Sequence, residues 1–344
     1  MKLVFVTQQV DPAHPALAAT VPKLCALAEL VDEVVVLADG AVEEALPQNC
    51  RLRTFRATSK IGRGLRFESA LARELRGLRG GAVVAHMCPI YAVLAAPLVR
   101  PTRVPLVLWF THWRASRLLR AAERVSTAVT SVDARSFPLP STKLYAIGHG
   151  IDLAEFPCVP HRAGEDELRL LALGRYSPAK GLDAVLRAVA AVGEGVRLDV
   201  HGPALSEEER THRDELGRLA RELPLDGRVV LGDAVARAEV PRLLASHDAL
   251  VNNMRAGAPD KVVYEAAAAC VPVLASNPVF DSLLDTPQRF VRNDAGTLAD
   301  AIRALAALGT DERAALGRRL RERVEAGHSV QSWARGILSA AGLA

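Results

Sequence analysis

The chain has 344 residues, of which 50% are hydrophobic, 24% charged and 4% aromatic. That length exceeds one ordinary core and predicts two domains, and the composition excludes a disordered or fibrous chain. A net charge of only +4, with no aromatic–basic interleaving, excludes nucleic acid as the expected partner.

The first residues, MKLVFVTQQV, run straight into an expected strand and lack the apolar core and cleavage site of a signal peptide. Candidate strands follow at Lys2–Thr7, Glu33–Ala38, Arg51–Phe55, Ala82–His86, Pro105–Phe110, Thr127–Thr130 and Lys143–Ile147. Helical patterns lie between most of them, for example Leu17–Leu30, Gly64–Leu78 and Arg114–Arg124. Such alternation predicts parallel strands joined by crossover helices, a doubly wound α/β domain whose ligands bind beyond the carboxyl ends of the strands. The longest apolar run, Ala82–Val99, is broken by His86, Pro89 and Pro97, and parses as strand, turn and helix rather than as a membrane span. Cys25, Cys50, Cys88, Cys158 and Cys270 show no metal-ligand or redox spacing and predict reduced thiols in a cytoplasm.

The segment SKIGRGLRFESALARELRGLRGG is a basic amphipathic helix, with Leu65, Leu71, Leu75 and Leu78 apolar and Lys60, Arg63, Arg66, Arg73, Arg76 and Arg79 cationic. In an α/β domain such a helix is more often a crossover helix with a solvated outer face; the other reading places it on the inner face of an anionic membrane, where lipid-linked acceptors are found. His112 falls just past a strand end and before a helix, and reads either as an active-site group or as a buried structural histidine. Arg114, Arg117, Arg120 and Arg124 recur at helical spacing, a face for an acidic acceptor or simply for water. His86 also ends a strand and ranks below His112 as an acceptor contact.

Gly148–Glu167 is rich in Gly, Pro and charge and reads as a linker. The pattern then restarts, with strands at Leu168–Leu173, Val196–His201, Arg228–Leu231, Ala249–Asn252, Val271–Ala275 and Arg289–Val291, so a second α/β domain follows. It opens with LGRYSPAKG, where Arg175 lies in the turn and Lys180 near a helix start. Two cations and a free helix N-terminus beyond a parallel strand suit a diphosphate; the alternative is an αβ turn with exposed basic residues. Asn252–Ser276 contains a loop, a helix with Asp260 as N-cap, and a buried strand. Lys261 in the first turn opposes the helix dipole, and Lys before Glu265 is the weaker ion-pair order, unless an anion binds there. Only six of the 43 basic residues are lysine, and Lys180 and Lys261 are two of them.

The runs LGRYSPAKG, VRLDVHGPA, RVVLGDAV, VPRLLASHDALVNN and DKVVYEAAAACVPVLAS, in this order over Leu168–Leu284, resemble the carboxyl-terminal half of glycosyltransferase family 4. YAIGHGIDLAEF resembles that family's linker, and SVQSWARGILSA its final helix, which crosses back to the first domain. The resemblance implies a GT-B fold: two facing Rossmann-like domains with a cleft, here residues 1–150 with 329–344, and residues 151–328. It implies retaining sugar transfer from a UDP- or GDP-sugar to a small-molecule, glycan or lipid-linked hydroxyl, without a metal, as the absence of any Asp-x-Asp also suggests. Arg175 and Lys180 match the pair that grips the donor diphosphate, and Glu265 the carboxylate that holds the ribose. Gly232–Val235 falls where the nucleobase sits, Gly257–Lys261 where backbone amides meet the donor sugar, and His112 matches the active-site histidine. Two departures stand out. The family's pair of glutamates, with seven residues between them, has Gly257 at its first place, leaving Asp260 or Lys261 to meet the sugar. The amino-terminal glycine pair is also replaced by TQQVDPAHPAL. A nucleotide-sugar epimerase and a silent nucleotide-sugar-binding scaffold are the competing readings.

Overall fold

A computed structural model describes residues 1–12, 17–158, 167–225 and 227–343. It forms two compact units, Met1–Asp152 with Gly327–Ala344, and Leu153–Ala326. Residues 13–16 of the amino-terminal loop and 159–166 of the linker lie outside the described residues.

The first unit contains β1 (Lys2–Val10), α1 (Thr20–Ala28), β2 (Glu33–Ala41), β3 (Cys50–Thr54), α2 (Lys60–Leu75), β4 (Ala82–His86), α3 (Pro89–Val99), β5 (Leu106–Trp109), α4 (Arg117–Val125), β6 (Ala128–Ser131) and β7 (Leu144–Ala146). Its sheet has the order β3-β2-β1-β4-β5-β6-β7, with parallel pairing throughout. Leu3–Val6, Val34–Ala38 and Ala82–Ala85 are buried, the continuous apolar runs expected of strands covered on both faces. On one face α2, α3 and α4 share a core built on Phe67, Leu71, Tyr91, Ala95, Leu119 and Ala122. Glu74 of α2 is a buried acid held by Lys2 at 2.8 Å, by Arg51 through both carboxylate oxygens at 2.8 and 3.0 Å, and by Arg53. The Arg51 guanidinium, with Lys2 and Arg53, holds its carboxyl down at about 2.

The second unit contains β8 (Leu168–Leu173), α5 (Leu182–Val192), β9 (Val196–His201), α6 (Glu207–Glu222), β10 (Val229–Gly232), α7 (Val240–Ala245), β11 (Ala249–Asn252), α8 (Lys261–Ala268), β12 (Val273–Ala275), α9 (Ala295–Ala306) and α10 (Thr310–His328). Its parallel sheet has the order β10-β9-β8-β11-β12. The last helix, α11 (Val330–Ala340), belongs with the first unit, where Trp333 packs against Phe5 and Trp109.

Four expectations need correction. Arg289–Val291 forms no strand; Arg289 makes a single bridge to Ala275, and the sheet ends at β12. The helix expected from Arg114 begins three residues later, because Ser116 caps it by accepting from the Leu119 amide at 3.0 Å. Of the apolar residues assigned to α2's pattern, Leu71, Leu75 and Leu78 are buried whereas Leu65 is exposed. Finally, Cys158 and Cys270 form a disulfide, their Cα atoms 5.0 Å apart, while Cys25, Cys50 and Cys88 are free. Their separation of 112 residues hid this pairing, since only the fold brings them together. Ala82–Val99 divides into β4 and α3, and no helix among the described residues is long and apolar enough to cross a membrane.

Candidate active site

In the second unit the expected donor residues gather beyond the carboxyl ends of β8 and β11. The chain leaves β8 through Gly174, at φ +130°, where a Cβ would lie 2.5 Å from Lys180 Nζ. The absent side chain is what lets Lys180 fold back against the strand end. Its ammonium donates to the Leu173 carbonyl at 3.2 Å and to the Asp260 carboxylate. Lys180 closes a short 3-10 turn, Pro178–Lys180, capped by Ser177, and left-handed Gly181 (φ +53°) leads into α5. Asn253 fixes that glycine by donating to its carbonyl at 2.8 Å.

Asp260 occupies the N-cap position of α8, but its side chain makes no cap bond. It accepts instead from Lys180 and from Asn252 Nδ2 at 2.8 Å, which leaves the buried Oδ1 of Asn252 without a hydrogen-bond partner. Arg175 is paired with a different acid from Lys180. It is 60% exposed and pairs at 2.9 Å with Glu209, in the first turn of α6.

Glu265 is only 4% exposed and is held by two cations, Lys261 at 3.0 Å and Arg237. Arg237 also donates to Glu155 at 2.7 Å and lies 5.0 Å over the Phe156 ring. Nothing in the spacing of the sequence marks Arg237, which follows β10. Tyr176 is a second unforeseen participant: buried, it donates to the Gly232 carbonyl at 2.7 Å and so fixes the start of the Gly232–Val235 loop. Gly232 itself faces the His201 ring, which a Cβ would meet at 2.4 Å, and Val235 is half-buried.

Gly257 adopts φ +77°, a backbone conformation in which a glutamate would be strained. Asn277 secures this loop, donating to the Arg255 and Ala258 carbonyls at 2.9 and 2.8 Å and accepting from the Gly257 amide at 3.3 Å.

In the first unit, His112 is exposed and its Nδ1 accepts from the Arg114 amide at 2.9 Å. That bond assigns the proton to Nε2, an outward hydrogen-bond donor. Partial burial and the Arg114 charge lower its pKa, favouring the neutral ring. Arg114 stacks on Trp113, and Arg117 opens α4 exposed to solvent. His86 is not open to an acceptor: it is buried against Phe5 and Trp109, with Thr7 Oγ1 3.4 Å from Nδ1. Burial, helped by the Lys23 charge, pushes its pKa well down. Lys23 is buried too, over the Trp109 and Trp333 rings at 4.7 and 4.9 Å. Among the described residues no group of three or more His, Cys, Asp or Glu is arranged to hold a metal ion.

Two parallel Rossmann-like α/β units, with a cation-lined strand edge in the second, place the chain in the GT-B fold class. Residues 182–339 match the family model described as Glycosyl transferase-like. The chain is similar to HepE from Anabaena in complex with UDP, at 19% identity over 98% of this chain and 99% of that one, with a TM-score of 0.78. It is also similar to sucrose-phosphate synthase from Thermosynechococcus elongatus, at 18% identity over 98% and 97% of the two chains (TM-score 0.74). A glycosyltransferase from Rickettsia africae is 13% identical over 99% and 97%, with a TM-score of 0.75. Nothing among curated proteins matches the chain.

Proposed function

We propose that the protein is a retaining glycosyltransferase that moves a sugar from a nucleotide diphosphate sugar to a hydroxyl of a small-molecule, glycan or lipid-linked acceptor. The observation that carries this reading is the cluster at the carboxyl edge of the second sheet: Lys180 against Asp260, beside Glu265 held by Lys261 and Arg237. A buried carboxylate fixed by two cations is ready to accept from ribose hydroxyls, and a lysine beside it suits a diphosphate. Arg175 and Lys180 neutralise charge on the departing diphosphate, an electrostatic contribution. His112, as an Nε2–H donor, orients the acceptor or the donor sugar. The Glycosyl transferase-like match and the likeness to HepE, whose complexes contain UDP and UDP-glucose, support this reading and favour a uridine donor.

Gly257 favours one competing reading, a nucleotide-sugar-binding protein without turnover, because it removes a carboxylate from the donor-sugar side. Calorimetric titration with UDP and GDP, repeated on Arg175→Ala and Lys180→Ala, tests the site. We expect one nucleotide to bind the wild type and to weaken at least tenfold, about 1.4 kcal/mol, in each variant. Wild-type protein that binds neither nucleotide overturns the proposal; binding without sugar transfer or hydrolysis in a donor screen selects the silent reading.

A further inference from the structure

Glu265 is almost fully buried, and a carboxylate so desolvated persists only where cations or hydrogen bonds hold it. Both of its cations address the same oxygen. Lys261, one turn earlier on α8, stands 3.0 Å from Oε1, and Arg237 donates to Oε1 from the 3-10 turn that follows β10. Those two donors occupy the lone pairs of Oε1. Oε2 accepts no hydrogen bond among the described residues, yet it stays open to solvent. Glu74 shows what an acid kept for ion pairing alone does: its cations take both oxygens, Arg51 bridging the two. Glu265 instead offers a ligand one oxygen, aimed by whatever grips the other.

The two grips differ in stiffness. Lys261 reaches Glu265 along a flexible stem, and its ammonium can follow a rotating carboxylate. Arg237 comes from another loop and is fixed on its far side as well. Its Nη2 donates to Glu155 at 2.7 Å, and its guanidinium lies 5.0 Å over the Phe156 ring. A planar fork held between two carboxylates and an aromatic face has one orientation. The segment that bears Glu155 and Phe156 is pinned in turn. Arg321 of α10 donates to the Phe156 carbonyl at 2.6 Å and to that of Ala268, and Cys158 is bonded to Cys270 just beyond the end of α8. The circuit through Arg237 thus begins and ends on the helix that carries Glu265.

We propose that Arg237 is a positioning residue: it holds Glu265 so that Oε2 alone accepts from the ribose hydroxyls of the donor, and thereby sets the preference for a ribonucleotide over a nucleotide that lacks them. Glu155 and Phe156 act one step further back, by holding Arg237. This role rests on the nucleotide-sugar reading of the site.

Calorimetric titration of the full chain with UDP and with 2′,3′-dideoxy-UDP reads the ribose contribution as a ratio of affinities; GDP and its dideoxy analogue take their place where GDP is the nucleotide bound. The wild type should prefer the ribonucleotide by about tenfold or more, because hydroxyls bonded to a charged acceptor are lost in the analogue. Arg237→Met, of similar length and without charge, should bring that ratio below about threefold and leave the affinity for the dideoxy analogue within about twofold of wild type. Arg237→Lys should not restore the ratio, since an ammonium does not bridge two carboxylates as the fork does. Glu155→Gln should lower it to an intermediate value, and carries the test where Arg237→Met does not fold. Equal losses for both nucleotides in Arg237→Met would mark a merely structural residue and overturn the proposal, as would an unchanged ratio. A wild type that binds both nucleotides equally also overturns it and leaves sugar transfer standing, whereas a wild type that binds neither UDP nor GDP overturns both.

Discussion

The Asp260 carboxylate stands at the amino end of α8 yet serves Lys180 and Asn252 rather than its own helix. It therefore acts as a fixed internal anion opposite the lysine proposed to hold the donor diphosphate. A diphosphate arriving at Lys180 must displace it or share the ammonium with it. Asp260→Asn removes the competing charge while retaining a polar group of the same size. We expect this variant to bind free UDP about three- to tenfold more tightly, near 1 kcal/mol for a partly exposed pair. Free UDP carries no sugar, so any contact Asp260 makes with the donor sugar does not enter the comparison. Weaker UDP binding in the variant would make Asp260 a support that positions Lys180, not a competitor. The scarcity of lysine and the helix dipole mark Lys180 and Lys261 in the sequence, whereas Glu265 is marked as a ribose-holding carboxylate only by the family resemblance. Arg237 was not visible: it lies 28 residues before Glu265 on another loop, and only the fold carries it there.

At the scale of elements, burial decides where local signals succeed. The strands of the first unit are legible because both faces are covered and their sequences are unbroken apolar runs. Arg289–Val291 looked similar but offers only Phe290 to the interior; Val291 is 61% exposed, and one bridge replaces a ladder. The capping residue of α8 was correctly placed and its capping bond was not, because a nearby ammonium attracts a carboxylate more strongly than a backbone amide does. Helix α2 supplies a quantitative test of the same idea. Its Glu74 is buried among Lys2, Arg51 and Arg53, with a carboxyl near 2 against an ordinary 4.5. A depressed folded value stabilises above the unfolded value, and the stabilisation is lost as pH falls through the folded one. Glu74→Gln should therefore destabilise the first unit by about 1–3 kcal/mol near neutrality, reduced by the partial exposure of the three cations. Urea unfolding of the two proteins should converge between pH 4.5 and about 2, where the wild-type carboxylate protonates. A constant difference across that range would show that packing, not charge, accounts for the loss.

For the whole molecule, alternation of strand and helix foretells two parallel sheets, since each crossover must return the chain to the same edge. What alternation does not encode is a link between distant turns. Cys158, at the start of the second unit, is joined to Cys270 in the left-handed turn between α8 and β12, next to the helix that bears Lys261 and Glu265. Closing a loop of this length restricts the unfolded chain, by up to about 4–5 kcal/mol on the chain-entropy account. A thiol assay in concentrated denaturant should count three free thiols, Cys25, Cys50 and Cys88, and five after reduction. In the native protein, burial pushes Cys50 and Cys88 up to about 11, so both should react slowly before unfolding. Reduction should lower the unfolding midpoint of the second unit and leave that of the first unchanged, because the bond lies wholly within the second. Five thiols without reductant would mean that the purified protein carries both cysteines reduced, and a midpoint indifferent to reductant would then have to follow.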